Sequence, residues 1–257
     1  MNDKKTVDDL YVKKDTLSTR INIHEKYSVN KYGWNNWIFD QYIIKENYKI
    51  IEFGCGNGNF WKNKLDKLPY GVKITLSDFS PLMVEKVKEN LFKTENIDIQ
   101  LIDIQNVPFS DKSFDIVIAN HMLYHVPDFD KALTEVRRIL KSEGAFYTTT
   151  IGKNNLNQLE IIYRIFENIC RFNYSGNLSF ILENGKEKLE KHFQNIVQRK
   201  YSDHLEVTEV DDLMDYIVSY NSIPEEIYQE IYKNIVKEIE RYGVMKISKD
   251  SGMFICT

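Results

Sequence analysis

The sequence predicts an α/β fold built on a doubly wound, mostly parallel sheet of seven strands. Five short apolar runs lie within the first 151 residues, and such runs are typical of strands that helices cover on both faces. Amphipathic helical patterns separate most of these runs, which favours parallel strands joined by right-handed crossovers. Two further strand candidates follow near the end of the chain, and they bring the expected number of strands to seven.

The candidate strands and helices follow one another in a regular order. The predicted strands span residues 49–53, 72–77, 97–102, 115–119, 145–151, 196–201 and 252–256. A helix is expected after the first strand, where the apolar residues have helical spacing up to Pro69: Phe60, Trp61, Leu65 and Leu68. After the second strand, Ser80 is suited to be an N-cap and Pro81 to be the first helical residue. Their helix would bury Met83, Val84, Val87 and Leu91.

A third helix is expected after the fourth strand, with further helices outside the strand–helix repeat. The third helix carries Leu133, Val136 and Leu140, and Gly144 stands where a C-terminal glycine is favoured. Residues 18–45 have apolar residues at helical spacing before the first strand. Later helices are expected within residues 155–193 and 209–241. No repeat or flexible linker divides the chain, so we expect one domain over residues 1–257.

Composition excludes several classes of protein. The chain has 257 residues, of which 42% are hydrophobic and 13% aromatic, enough for a full core. The net charge of −4 and the lack of a basic tract disfavour a nucleic-acid partner. No apolar run approaches the ~18 residues of a membrane span, and the N-terminus lacks the apolar region of a signal peptide. Three cysteines without metal-ligand spacing are typical of reduced thiols, so we expect a cytoplasmic protein.

The most informative stretch is the glycine-rich loop after the first strand. It reads Glu52-Phe53-Gly54-Cys55-Gly56-Asn57-Gly58. Alternate glycines let the backbone turn sharply and allow a ligand to approach bare amide groups. A tight structural turn is the alternative interpretation. A nicotinamide-binding pattern needs its third glycine at position 59, where this chain has Asn59. Asp78, at the end of the second strand, could bind the ribose of either cofactor.

Two further segments, together with the loop, give the sequence its family resemblance. Asp103 ends the third strand and is followed by residues 104–109 and by Ser113-Phe114-Asp115. Residues 120–128 read Asn-His-Met-Leu-Tyr-His-Val-Pro-Asp after the fourth strand. With the (D/E)-x-G-x-G-x-G pattern of the loop, residues 50–151 resemble the class I S-adenosylmethionine-dependent methyltransferases of the type 11, UbiE-like small-molecule group. Residues 46–152 would then form the cofactor-binding core, 1–45 an N-terminal lid, and 153–257 helical insertions with the last strands.

The resemblance implies S-adenosylmethionine as cofactor, S-adenosylhomocysteine as product, and a set of binding residues. The residues expected at the cofactor are Tyr27, Glu52, Gly54, Cys55, Gly56, Gly58, Asp78, Phe79, Met83, Asp103, Ile104, Asn120 and His125. Structural alternatives remain for some of them. Asp103 could be a turn cap, Asp78 a charge at a helix N-terminus, His125 a neutral core histidine, and Tyr27 an interior tyrosine of the lid.

The methyl acceptor is expected between residues 120–125 and the lid. His121 is the first candidate for the general base because it immediately follows the fourth strand, and its pKa is expected near ~6.5. His24, Tyr27, Tyr124 and His125 are the other groups able to take a proton. Trp34, Trp37 and Tyr124 are candidate acceptor contacts, although the spacing of the two tryptophans also suits the packing face of a helix.

Missing motifs narrow the range of acceptors. No (D/N/S)-P-P-(Y/F/W) motif and no cysteine follow the fourth strand, which disfavours methylation of nucleic acid bases. No acidic cluster suited to magnesium accompanies the site, so we expect no metal. The prediction is methyl transfer to N, O or C of a small, partly apolar molecule. Two rivals stay open: a nicotinamide-dependent oxidoreductase, and a non-catalytic module that binds a cofactor or a partner.

Overall fold

The structure, a computed structural model, describes residues 16–91, 96–159, 179–219 and 223–257. These residues form a seven-stranded sheet with the strand order β3-β2-β1-β4-β5-β7-β6. Its strands are β1 (Lys49–Phe53), β2 (Lys73–Asp78), β3 (Ile97–Leu101), β4 (Phe114–Asn120), β5 (Leu140–Ile151), β6 (Ile196–Val207) and β7 (Met245–Cys256). The first five strands are parallel, and β7 runs antiparallel to both β5 and β6. The predicted fold class is confirmed.

The order of strands places a crevice between β1 and β4. From β1 the chain proceeds outward through β2 and β3, whereas from β4 it proceeds in the opposite direction to β5. In open parallel sheets, ligands bind at the carboxyl ends of the strands where the order reverses in this way. The ends of β1, β2 and β4 are therefore where a cofactor is expected.

Helices cover the sheet on both faces. They are α1 (Thr16–Tyr27), α2 (Trp34–Gln41), α3 (Pro81–Asn90), α4 (Phe129–Ile139), α5 (Gly185–Leu189), α6 (Val210–Val218) and α7 (Glu225–Tyr242). The helix α3 begins at Ser80 and Pro81 as predicted. The helix α4 is capped by Asp128, whose carboxylate accepts a hydrogen bond of 3.0 Å from the amide of Lys131.

Alternate residues of the central strands belong to different core clusters. Ile51 and Val117 pack on one face, while Ile50 and Ile116 pack on the other. A third cluster lies under the far parts of β6 and β7, where α1, α6 and α7 meet. No helix in the described part of the chain has the length and apolarity needed to cross a membrane.

Two helix predictions were wrong in detail. Residues 60–68 form successive turns and a short 3₁₀ helix, Leu65–Lys67, because their backbone bonds span three residues, as from Trp61 to Gly58 and from Lys64 to Trp61. The helix α4 ends at Ile139, and Leu140 already begins β5. Gly144 lies inside that strand, where a Cβ would come within 2.9 Å of the carbonyl oxygen of Asp115. The predicted long helix near residue 160 lies largely outside the described residues.

The last two strands are longer than predicted. Beyond the paired residues Ile151 and Ser251, β6 and β7 continue as a two-stranded ribbon of residues 202–207 and 245–250. Its polar residues, such as Ser202 and Lys246, obscured the strand pattern in the sequence. One ribbon face is nevertheless buried, and it includes Leu205, Val207 and Ile247. At ~3.3 Å per residue the ribbon projects roughly 20 Å past the carboxyl end of β5.

Candidate functional site

The glycine-rich loop after β1 has a backbone conformation that residues with side chains rarely adopt. Gly54, Gly56 and Gly58 have φ angles of 66°, 58° and 75°. A Cβ on Gly54 would lie 2.8 Å from Met122, and one on Gly58 would lie 3.2 Å from Val87 of α3. A Cβ on Gly56 would meet nothing within 4 Å. Gly54 and Gly58 therefore allow close packing, whereas the backbone at Gly56 borders open space.

Asp78 ties this loop to the start of α3. Its Oδ2 accepts a hydrogen bond of 3.0 Å from the amide of Gly56, and its Oδ1 accepts one of 3.0 Å from the amide of Ser80. The amide of Cys55 also bonds to the carbonyl of Ser77, at 3.0 Å. These bonds hold the Asp78 carboxylate at the end of β2, where the predicted contact to the ribose would lie. The structural role and the predicted binding role of Asp78 can coexist.

A buried polar cluster lies behind the loop, around Glu52. The carboxylate of Glu52 accepts hydrogen bonds from Trp61 Nε1 at 2.5 Å and from Asn120 Nδ2 at 3.0 Å. Asn120 Nδ2 also donates to the hydroxyl of Tyr42 at 2.8 Å. Burial raises the pKa of Glu52 to about 7 because the ionised carboxylate is poorly solvated.

Asn120 carries an unusual acceptor. Its Oδ1 is buried and has no hydrogen-bond partner among the described residues. The NH₂ group of Asn120 donates to both Glu52 and Tyr42, so its two N–H groups are satisfied while Oδ1 is not. A buried polar atom without a partner costs free energy, so this oxygen indicates where a ligand's donor could bind.

Other predicted cofactor residues surround the same end of the sheet. Asp103 is exposed, and its Oδ1 accepts hydrogen bonds from the backbone and side chain of Gln105 at 2.9 and 3.0 Å. This is the turn cap considered as its alternative, and it leaves the carboxylate accessible. The side chains of Ile104 and Met83 are buried in the core, so only the backbone of Ile104 is suited to contact adenine. Phe79 is half-buried between Asp78 and α3.

His121 has a strained backbone at the end of β4. Its φ is 49°, which is uncommon for a residue with a side chain and is often found at functional sites. Its amide bonds to the carbonyl and the hydroxyl of Thr149, both at 3.1 Å. Burial, together with the positive charge of Lys249 and the neighbouring His125, lowers the pKa of His121 to about 4. The expected value near ~6.5 was therefore wrong, and His121 is neutral at pH 7.

The short 3₁₀ helix Leu123–His125 holds two further predicted residues. The rings of Tyr124 and His125 form an edge-to-face pair with centroids 4.6 Å apart. Burial lowers the pKa of His125, so its imidazole is neutral, as in the alternative interpretation. Tyr124 packs against the core cluster that contains Ile51 and Val117.

The two tryptophans of α2 lie beside His121. Trp34 stacks on Trp37 with ring centroids 5.2 Å apart, and its centroid lies 5.4 Å from that of His121. Both indoles remain half-exposed. The structure therefore brings together His121 and the predicted acceptor residues of the lid.

Tyr27 is not brought to the glycine loop. It is buried in the third cluster, and its hydroxyl donates to Asp212 of α6. This placement matches the alternative of an interior tyrosine. It also explains why the sequence was ambiguous, since an aromatic residue on an amphipathic helix can face a ligand or another helix.

The strands β6 and β7 contribute site residues that the sequence did not indicate. Tyr201 contacts Trp34 and Trp37 with centroid distances of 5.2 and 5.4 Å. Lys249 bonds to Asp203 at 2.5 Å and to Ser28, which follows α1, at 2.9 Å. Lys249 was missed because the sequence pattern began β7 at residue 252, and Tyr201 lay within a predicted strand but in no motif that marks a site residue.

Comparison with known proteins supports the resemblance in the core. Residues 51–148 match the family described as methyltransferase domain, which confirms this resemblance for that segment. Sterol 4-C-methyltransferase strm-1 of Caenorhabditis elegans is 31% identical over 121 residues, covering 46% of this chain and 35% of that protein. A demethylmenaquinone methyltransferase of Staphylococcus aureus is 30% identical over 135 residues, covering 52% of this chain and 55% of that protein. The chain thus spans about a third to a half of these relatives.

A solved structure extends the likeness over nearly the whole chain. Phosphoethanolamine N-methyltransferase 2 of Haemonchus contortus, in complex with S-adenosyl-L-methionine, has a TM-score of 0.57 at 17% identity. The match covers 94% of this chain and 56% of that chain. At this level of identity the similarity concerns the fold.

Proposed function

From a core that matches the methyltransferase domain family, we propose that this chain is an S-adenosylmethionine-dependent methyltransferase acting on a small, partly apolar molecule without a metal. The observation that carries the proposal is the loop Gly54–Gly58 held by Asp78 at the switch point of the sheet. Open space at the positive-φ residue Gly56 suits the close approach of a ligand to the backbone.

The polar groups around the loop fit the parts of this cofactor. Asp78 would hold the ribose, and the exposed carboxylate of Asp103 with the Ile104 amide would hold the adenine. The unpartnered Oδ1 of Asn120, beside the carboxylate of Glu52, suits the ammonium of the methionine part. The cofactor supplies an electrophilic methyl group on sulfur.

The remaining task of the chain is to align the acceptor and receive its proton. Neutral His121 lies at the end of β4, between the cofactor residues and the tryptophans of the lid. An imidazole there can accept a proton from the acceptor, and the indoles of Trp34 and Trp37 exclude water. The relatives act by name on sterols and demethylmenaquinone, so their names support a small-molecule acceptor without specifying one. The free thiols Cys55 and Cys256 suit a reducing, cytoplasmic location.

The two rival functions are less well supported. A nicotinamide-dependent oxidoreductase is disfavoured by Asn59 and by the methyltransferase match over residues 51–148. For a non-catalytic module, the sequence shows no loss in the motifs, since the three glycines and both acids Asp78 and Asp103 are present.

Calorimetric titration tests the cofactor assignment. The wild type should bind S-adenosylmethionine and S-adenosylhomocysteine and should not bind NADH. Asp78→Ala should weaken binding by ~1–3 kcal/mol, because charge-assisted bonds to the ribose are lost. Gly56→Val should abolish binding, because the β-branched residue is strained at φ 58° and occupies the space of the ligand.

Matched variants control for stability. Gly243→Val places the same residue at another positive-φ glycine with open surroundings, at the end of α7. Asp98→Ala removes an exposed acid from the edge strand β3. Both controls should bind like the wild type. Unchanged affinity in Asp78→Ala and Gly56→Val would refute the site, and binding without turnover on any acceptor would favour the non-catalytic module.

A further inference from the structure

The buried face of the β6–β7 ribbon contains one charged pair. This face is continuous with that of the preceding cross-strand pair, so that Tyr201, Asp203, Leu205 and Val207 alternate along β6 opposite Ser251, Lys249, Ile247 and Met245 of β7. Asp203 and Lys249 are direct cross-strand partners, and their side chains are 0% and 10% exposed. A buried ion pair is weak evidence for stability, since apolar residues would serve as well or better. Its presence in an apolar face therefore invites a functional explanation.

Asp203 is fully occupied within the protein. Its carboxylate accepts hydrogen bonds from Lys249, from the hydroxyl of Ser28 at 2.5 Å, and from the amides of Asn30 and His204 at 3.0 and 2.9 Å. These four bonds use its acceptor positions. It is therefore unsuited to bind a cationic acceptor.

Lys249, in contrast, keeps donor capacity. An ammonium has three N–H groups, and within the described residues Lys249 donates to Asp203 and to Ser28. The ammonium lies 5.7 Å from the ring centroid of Tyr201, which in turn contacts Trp34. Trp34 contacts His121, so a continuous series of rings connects Lys249 to the end of β4.

We call the surface formed by Trp34, Trp37, Tyr201, Lys249 and two neutral imidazoles the acceptor wall. The imidazoles are His121, which contacts Trp34, and His24, which contacts Tyr216 of α6. His24 of α1 and His121 both have a lowered pKa, caused first by burial and then by the charge of Lys249. The Nδ1 atom of His24 is buried and has no hydrogen-bond partner among the described residues. The other charged group near His24 is the occupied Asp203, and His121 is otherwise faced by His125. The wall thus combines flat aromatic rings, neutral imidazoles and one ammonium donor.

We propose that this wall selects a planar acceptor with an acidic hydroxyl, a phenol or an enol, and that Lys249 binds the developing oxyanion. This inference rests on the proposed methyltransferase function and specifies its substrate class. The hydroxyl oxygen forms the new bond to the methyl carbon as the carbon–sulfur bond breaks and its electron pair returns to sulfur. The hydroxyl proton passes to the neutral imidazole of His121. Within the described residues, the carboxylate paired with Lys249 is the occupied Asp203, so an alkylammonium acceptor would meet an ammonium with no available carboxylate beside it.

Binding of 4-nitrophenol tests the proposal without turnover, because its phenolate has a distinct absorbance. A pH titration is carried out on the complex of the protein, S-adenosylhomocysteine and 4-nitrophenol. The bound phenol should ionise at a lower pH than in free solution. Lys249→Met should abolish this shift and weaken binding at least tenfold. Lys246→Met is the matched control: Lys246 lies on β7, is 67% exposed and pairs with Glu206, and its loss should change nothing.

A second variant protects the test against misfolding, since Lys249→Met leaves the carboxylate of Asp203 buried without its partner. The double variant Lys249→Met with Asp203→Asn removes both charges, and it should fold and still lose the shift. In turnover, 2-naphthol should be methylated in preference to 2-naphthylamine and 2-naphthylmethylamine. The proposed acceptor class would be overturned if 4-nitrophenol showed no saturable binding or if its pKa were unchanged on binding to the wild type. It would also be overturned if the pKa shift persisted without Lys249, or if an amine were methylated in preference to 2-naphthol. Calorimetry of S-adenosylhomocysteine on the same samples reports separately on the proposed function.

Discussion

At the residue scale, Asn120 and His121 divide the chemistry at the end of β4. Asn120 turns inward to Glu52 and Tyr42, while the positive φ of the next residue sends His121 toward Trp34. Adjacent side chains of a strand point to opposite faces, and the left-handed turn modifies this rule where the strand ends. One dipeptide thereby borders both the candidate cofactor site and the candidate acceptor site.

Replacement of His121 tests proton transfer. If His121 is the general base, His121→Asn should lower kcat by ~10²–10⁴-fold with little change in cofactor affinity. Asparagine is the better substitute because it tolerates positive φ, so the turn at the end of β4 should be preserved. The measurement is steady-state kinetics with whichever of the three naphthalene compounds, the naphthol or one of the two amines, the enzyme methylates.

The pH profile of the wild type gives an independent check. Because the pKa of His121 is about 4, the rate at saturating cofactor, which keeps Glu52 ionised, should stay constant from pH 8 to about 5 and fall only below that. If kcat of His121→Asn falls by less than about tenfold, His121 positions the acceptor and does not take its proton. An acid limb near ~6.5 in the wild type would show that the imidazole is better solvated than its burial indicates.

At the scale of elements, the two helices of the N-terminal segment pack against different parts of the molecule. The helix α1 packs on α6 through Tyr27 and Asp212, whereas α2 packs on the sheet through Ile38. The connection between them is attached to Asp203 through Ser28 and Asn30. The role of this segment as a lid over the cofactor remains a prediction, and the structure indicates which of its parts would respond.

Hydrogen exchange tests the lid. Addition of S-adenosylhomocysteine should slow exchange across residues 18–44, most in α2, because Tyr42 bonds to Asn120 at the candidate cofactor site. The helix α7 serves as an internal control, since it packs in the third cluster under the ribbon. Identical exchange in α2 with and without the ligand would instead identify a static packing helix.

The same elements show what the sequence could predict and what it could not. The strands β1 to β4 were placed to within a residue or so because each is a short apolar run, such as Lys49–Phe53. The turns after Gly58 were predicted as a helix because apolar spacing does not distinguish three-residue from four-residue hydrogen bonding. The strands β6 and β7 were predicted too short because the exposed face of the ribbon is polar and its buried face includes Asp203 and Lys249. Tertiary pairing, absent from local patterns, decides such strands.

At the scale of the whole molecule, the site combines segments far apart in the chain. The cofactor residues come from one continuous stretch with recognisable motifs, so the sequence indicated Asp78 and Asn120. The acceptor wall draws on α1, α2, the end of β4, β6 and β7, and its contacts join residues more than a hundred positions apart, such as Ser28 and Lys249. Tyr201 and Lys249 have no motif of their own and become visible only in the folded chain.

Several buried groups give the stability of the whole molecule opposing dependences on pH. The pKa of Glu52 is raised to about 7, so its contribution to stability is complete below the unfolded value of ~4.3 and is lost as pH rises through 7. The pKa values of His24 and His121 are lowered to about 3 and 4, so their contribution is present above ~6.5 and is lost as pH falls. The wild-type profile between pH 4.5 and 7 therefore mixes two slopes of opposite sign.

A difference measurement isolates Glu52. Between pH 5 and 7.5, wild type should lose on the order of 2–3 kcal/mol of unfolding free energy relative to Glu52→Gln, because only the wild type has to bury an ionising carboxylate. Denaturant unfolding at the two pH values supplies the comparison, and Glu143→Gln, at an exposed position of β5, should behave like the wild type. Saturation with S-adenosylmethionine should reduce the difference, since an ammonium at Asn120 Oδ1 stabilises the ionised carboxylate of Glu52. A difference that is independent of pH would mean that Glu52 is ionised throughout, and one unaffected by the cofactor would separate Glu52 from the ligand site.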